Sequence, residues 1–251
     1  MKYLFIILML FILSTTTARA AEKVKNDLQT VKALQKAGYL TQSLDHWLKS
    51  IEIMQRESAT YPSDANLKKL LAESYLGLLN TCMAKEDEKT FKAYEEIALE
   101  AFESLEEHTV FEAEALAWQA SLYGWKIAFN PIKGMYLGPK SQSILKDAMK
   151  ANEQSAEAWI RNASSLLFTP KMFGGDPEEA VKHFEKGVAL YEKQGITDWK
   201  YLDALAWLGQ AYAKTGQKEK ARYTFKKAIK LEPKFYWVKN ILLPSLKESS
   251  Q

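Results

Sequence analysis

Leu202-Asp-Ala-Leu205-Ala-Trp-Leu208-Gly209-Gln-Ala-Tyr212-Ala-Lys-Thr-Gly216-Gln-Lys-Glu-Lys-Ala221-Arg-Tyr-Thr-Phe225-Lys-Lys-Ala228-Ile-Lys-Leu-Glu-Pro233-Lys-Phe235 is the stretch on which the fold turns. Its apolar residues recur at steps of three and four on both sides of Gly216, which places them on one face of each of two helices. Gly209 and Ala221 are small where the helices of such a pair cross closely, and Leu205, Leu208, Tyr212 and Phe225 supply the apolar seam between them. Gly216 allows the tight turn, and Pro233, which lacks an N–H, stops the second helix. A single pair of this kind leaves apolar faces uncovered, so it needs neighbours.

Upstream the same writing continues. Glu114-Ala-Leu-Ala-Trp118, Ser155-Ala-Glu-Ala-Trp159 and Asp203-Ala-Leu-Ala-Trp207 are three versions of one phrase, with tryptophans 41 and 48 residues apart. That spacing is one helix pair plus a variable connection. No alternating β-branched run competes, and the few Gly and Pro residues cut the chain into helices expected at 22–36, 39–58, 65–83, 86–106, 111–129, 140–152, 155–168, 177–193, 198–215, 218–231 and 235–248. The signature positions of 202–235 resemble the tetratricopeptide repeat. The resemblance implies an all-α, right-handed TPR-like solenoid of antiparallel helix pairs, one domain over 21–251, with Phe235 to Pro244 as a capping helix over its open end. The other units depart from the repeat: Ala180 follows Trp159 by 21 residues rather than the 16 of the repeat, an insertion of five. The unit around Trp118, Tyr123 and Ala148 has an enlarged middle as well, and those around Tyr75-Leu-Gly77 and Ala93-Tyr94 match loosely.

Met1-Lys2, an apolar run from Tyr3 to Leu13 and Ala18-Arg19-Ala20 read as a cleavable secretory signal over 1–20, too short to span a membrane. The mature chain is then expected to be periplasmic or secreted, with no transmembrane segment. Losing Lys2 and Arg19 leaves 32 basic against 31 acidic residues, a balance without the excess positive charge that nucleic acid requires. One Cys and three His exclude a disulfide framework and leave no ligand set for zinc. Cys82, inside Leu78-Leu-Asn-Thr-Cys-Met83, reads as a small core hydrophobe.

Two enlarged connections mirror one another: Asn130-Pro131-Ile-Lys133-Gly-Met-Tyr136-Leu-Gly138-Pro139 and Thr169-Pro170-Lys171-Met-Phe173-Gly174-Gly175-Asp176-Pro177. Pro131 to Ala148 and Pro170 to Gly187 are both 17 residues, so the two are equivalent parts of successive units and are expected side by side as a shared lip or pocket. Asp176, with Pro177 and Glu178-Glu179 behind it, reads as a helix N-cap. The Thr-Pro-x-x-Phe-Gly-Gly phrase, with Asn-Pro in the upstream loop, resembles a family of exported bacterial tetratricopeptide proteins over about residues 65 to 235. Gly174-Gly175-Asp176 with Ala180 to Phe184 has a looser likeness to the helical T-component of periplasmic solute transporters. These likenesses imply an envelope location and binding rather than a reaction.

His46, His108 and His183 are isolated from one another, the acids of Glu95-Glu96 and Glu106-Glu107 are adjacent rather than on one helix face, and no nucleophile elbow or dinucleotide fingerprint occurs. The expectation is therefore a non-enzymatic scaffold with no cofactor and no metal. In the tetratricopeptide family the first helix of each pair lines a concave groove, which carries over to Gln119, Tyr123, Lys126, Ile160, Ser164, Asp203, Gln210 and Lys214. With the loop residues, the candidate partner-binding set is Tyr123, Lys126, Asn130, Lys133, Tyr136, Lys171, Phe173, Gln210 and Lys214, for a protein or peptide in the groove. A small molecule under the paired loops is the alternative, within a transport system.

Overall fold

The computed structural model describes residues 2–248, with side chains over 21–246, and the side chains of the signal expected over 1–20 lie outside the described residues. Eleven α-helices are present among them: α1 Lys2–Thr41, α2 Leu44–Thr60, α3 Ala65–Lys85, α4 Glu88–Glu106, α5 Glu112–Phe129, α6 Gly134–Ala151, α7 Ala156–Phe168, α8 Pro177–Lys193, α9 Trp199–Lys214, α10 Lys218–Leu231 and α11 Leu243–Glu248. No strand occurs among the described residues, and no helix there is long and apolar enough to cross a membrane.

The helices pair as the spacing implies, α1 with α2 through to α9 with α10, and stack as an all-α, TPR-like solenoid. Local chemistry sets most starts. The side chains of Asp64, Asp87, Ser155, Asp176 and Asp198 each accept from backbone N–H groups of the following first turn, which satisfies donors that a helix leaves orphaned. Phe225 lies against Gly209, whose missing Cβ leaves the ring its place, as the seam reading requires.

Two boundaries differ from the sequence reading. Gly38 does not break the first helix: the Trp47 indole packs on it, a Cβ there would meet Nε1 at 2.8 Å, and the chain turns at Gln42 instead, in the left-handed region at φ 52°. The same indole presses on Gly77 of α3, so one buried tryptophan is held between two glycine faces. The first enlarged connection is mostly helix: Asn130 caps a single turn at Pro131–Lys133 and α6 runs on from Gly134, with Pro139 inside it. The end piece is helical without a break over 236–248, as expected, but with a wide π-type turn at Val238–Leu242 inside it, before α11. It still covers the end, burying Phe235, Val238, Leu242 and Leu246.

The odd-numbered helices from α1 to α9 form the inner layer, each touching the next, and α9 returns to touch α1. Tyr39 of α1 meets Trp199 of α9 at 5.6 Å between ring centroids and Phe235 of the end piece at 5.5 Å, while Trp47 meets Trp199 edge-on at 5.2 Å. The solenoid thus closes into a five-helix inner ring.

Candidate functional site

Ring closure decides what the inner face can do. Asp203, 1% exposed, accepts on Oδ1 from the Tyr39 hydroxyl at 3.1 Å and the Trp207 indole at 3.0 Å, with Arg161 Nη1 3.7 Å from Oδ2. Glu157 accepts from Trp118 Nε1 at 2.7 Å, from Arg161 Nε at 2.9 Å and from the Tyr191 hydroxyl. Lys200 Nζ lies 2.6 Å from Glu73 and 3.0 Å from Asp198. Burial pushes the Asp203 carboxyl up to about 6 against the pull of Arg161. Burial would raise Glu157 too, yet the charges of Arg161 and Lys200 bring it down to about 2. Lys200, which burial alone would lower, is raised by Glu73 and Asp198. This network joins α1, α3, α5, α7, α8 and α9; Glu73, Glu157, Arg161, Tyr191, Lys200 and Asp203 are almost wholly buried in it, while Asp198 and Trp207 at its edge are half-buried.

The open concave groove expected from the sequence is absent for that reason. Gln119, Ile160 and Asp203 are buried, as is Tyr123, at 6% exposed, with Lys140 Nζ 4.5 Å from its ring centre. Lys214 is exposed and donates to the Leu167 carbonyl at 2.9 Å. Gln210 is half-buried, and its Nε2 has no hydrogen-bond partner among the described residues. Lys126 pairs with Glu96 at 2.7 Å and Glu95 at 3.5 Å, and shares a cavity of about 90 Å³ with Asn130, Lys133 and Glu88.

Two surfaces remain open. The larger cavity, about 490 Å³, lies on the outer side between α8 and α10 with α9 as its floor. Val188, Leu205, Leu208 and Tyr212 line its base, and Ala189, Tyr223 and Thr224 its walls. Two ion pairs cross it, Glu185 to Lys220 at 3.5 Å and Glu192 to Lys227 at 2.6 Å. Burial, reinforced by Glu185, raises the Tyr212 hydroxyl that bonds this acid. An apolar base under a charged rim is the anatomy of a binding groove. Leu205, Leu208 and Tyr212 were legible as seam residues, but the gap beside them depends on how far apart α8 and α10 stand, which no local pattern encodes.

The second surface is the lip. Gln142 of α6, three residues past the first enlarged connection, donates from Nε2 to the Phe173 carbonyl of the second at 3.0 Å. Met135 lies two helical turns before Gln142 on the same face. Met135 (86%), Tyr136 (61%), Met172 (83%) and Phe173 (63%) stand out into solvent, with Lys171 exposed among them. Neither of the two cavities described above is framed by these four side chains.

Among the described residues no group of His, Cys, Asp and Glu is placed to hold a metal. Cys82 is buried and free, its thiol pushed up to about 12 by burial. His183 stacks edge-on against Trp159 at 4.8 Å and hydrogen-bonds Asn162 at 2.7 Å, a boundary histidine with structural partners.

With this geometry in view, known proteins can be set beside the chain. Residues 202–235 match the tetratricopeptide repeat. The fold as a whole is similar to the HusA haemophore from Porphyromonas gingivalis, at 20% identity and a TM-score of 0.57 over 75% of this chain and 94% of that one. It is similar also to TTC0263, a thermophilic TPR protein of Thermus thermophilus, at 17% identity and a TM-score of 0.53 over 87% and 97%. At such identities the likeness is one of fold. Among curated proteins, none matches the sequence of this chain.

Proposed function

We propose that this protein is an exported, non-catalytic TPR-like scaffold of the bacterial envelope, and that it holds a segment of a partner protein in the outer groove between α8 and α10. The single observation that carries this reading is the contrast between the two faces. The inner face is sealed by aromatic and ionic contacts between α1 and α9, whereas the outer groove offers about 490 Å³ over an apolar base, a volume within the usual range for binding clefts. The groove sits on the unit that keeps the tetratricopeptide signature best. A helical or extended segment with an apolar face would set that face on Leu205, Leu208 and Tyr212 and meet the Glu185–Lys220 and Glu192–Lys227 pairs with its polar edges. Export rests on the charged start, apolar run and Ala18-Arg19-Ala20 of the leader.

A photo-crosslinking residue in place of Tyr223, at the exposed mouth of the groove, should give one discrete protein adduct in a cell that exports the chain. Ala189→Trp, which fills the groove from the α8 wall, should abolish the adduct while the helical circular-dichroism signal stays. No adduct from position 223, or one indifferent to Ala189→Trp, would set the groove reading aside.

A further inference from the structure

The lip formed by the turn before α6 and the turn before α8 is not used by the groove. Four large side chains there, Met135, Tyr136, Met172 and Phe173, are more than half exposed, with Ile132 beside them in the first turn also exposed. Soluble proteins seldom leave such a cluster in water without a use for it. Its charge is one-sided. Residues 129–146 and 162–175 contain Lys133, Lys140, Lys146 and Lys171 and no Asp or Glu, in a chain where the two signs are otherwise nearly balanced. Most neighbouring acids are already engaged: Glu88 and Glu95, which share the small cavity with Lys133, pair with Lys92 and Lys126, Asp147 pairs with Lys150, Asp176 caps α8 and Glu179 pairs with Lys182, while Glu178 stands exposed in the first turn of α8.

We propose that this lip is a membrane-contact edge, which sets its methionines and aromatic rings into the interface of an anionic lipid bilayer while Lys133 and Lys171 meet the headgroups. Shape and chemistry favour a bilayer over a protein partner. The side chains project from two separate turns and none of them frames either cavity, so a folded partner would need a matching hollow, whereas a fluid interface conforms to any projection. Tyr and Phe suit the headgroup depth, and apolar side chains flanked by lysine are the composition of segments that lie in the interface plane. Each lysine close to an anionic surface adds an attraction that salt screens. The edge would leave the outer groove facing the aqueous compartment.

The test reads the lip directly. Met172→Cys in the full chain carries an environment-sensitive fluorophore, and since Cys82 is buried and its thiol poorly ionised, the label goes to position 172. Vesicles containing phosphatidylglycerol should shift its emission to the blue, and phosphatidylcholine alone should require at least about ten times more lipid for the same shift. The same fluorophore on Tyr223→Cys, in the groove mouth, should stay unshifted. Adding Lys133→Glu and Lys171→Glu to the labelled chain should weaken the response to phosphatidylglycerol at least about tenfold. No shift at position 172, or an equal shift at positions 172 and 223, overturns the proposal. A shift that needs envelope protein and no lipid overturns it too, and assigns the lip to a protein partner. None of these outcomes bears on the crosslink from the groove.

Discussion

Asp203→Asn should flatten the dependence of stability on pH between about 4 and 7. Three buried acids, Glu73, Glu157 and Asp203, share the inner ring with two buried bases, Arg161 and Lys200, so one negative charge is in excess there. Asp203 bears it: burial pushes its carboxyl up to about 6, against about 3.9 in an unfolded chain. Two units at about 1.4 kcal/mol each make roughly 3 kcal/mol, a ceiling because the neighbouring charges titrate together with it. The sign follows from where the proton binds better. A folded pKa above the unfolded one means that folding favours the protonated acid, so this contribution is fully present below about 3.9 and lost as pH rises through about 6. Glu157, held down at about 2, acts in the opposite direction but below this window. Urea unfolding at several pH values should therefore show the wild-type chain losing up to about 3 kcal/mol relative to Asp203→Asn between the ends of the range, at unchanged m. Parallel stability curves for the two chains would refute the excess buried charge and with it the account of the sealed ring.

Other consequences are more local. Gly77→Ala places a methyl against the buried Trp47 ring and should cost about 1–3 kcal/mol by thermal or urea unfolding; no loss would mean that the indole moves freely. Tyr39→Phe removes the hydroxyl donor from Asp203, leaves the ring stacking in place, and should cost about 1–2 kcal/mol at neutral pH. Cys82 should resist a thiol reagent in the native protein and react at the rate of global unfolding, whereas fast labelling at neutral pH would place it near the surface. Asp87→Ala strips α4 of a cap that accepts from the Thr90 N–H and hydroxyl, and should lower the urea midpoint at unchanged m; an unmoved midpoint would show that the cap is dispensable.

Much of the architecture was legible from short-range patterns. Helix periodicity, the Asp176 cap and the tetratricopeptide positions of 202–235 each depend on residues within a few turns of one another, and the structure carries them as read. Equal spacing predicts the two enlarged connections side by side, and the structure brings the second against α6 through Gln142, beyond the first connection itself. Ring closure was not legible, because the Tyr39 to Asp203 bond joins residues 164 apart. Charged residues at helical spacing read as a solvated or groove-lining face, and only the return of α9 to α1 turns Glu157, Arg161, Lys200 and Asp203 into a buried network. Gly38 misled for a related reason: glycine signals a break, yet here it makes room for an indole arriving from the next helix. Pro139 misled as well. Near the start of α6 it forfeits one backbone bond without ending the helix.

The return of α9 to α1 also fixes the copy number of the array. An open stack of helix pairs gains or loses a unit at either end with little effect on the rest, because each unit answers only to its neighbours. Here the two terminal pairs are neighbours as well, through Tyr39, Trp47, Trp199 and Asp203. Duplicating or deleting an internal pair would carry α9 away from α1 and strand an aspartate and three aromatic rings in water. Fraying from one end meets the same obstacle, since neither end is a free end. This chain should melt as one cooperative body, where a linear array of similar length would unravel in stages.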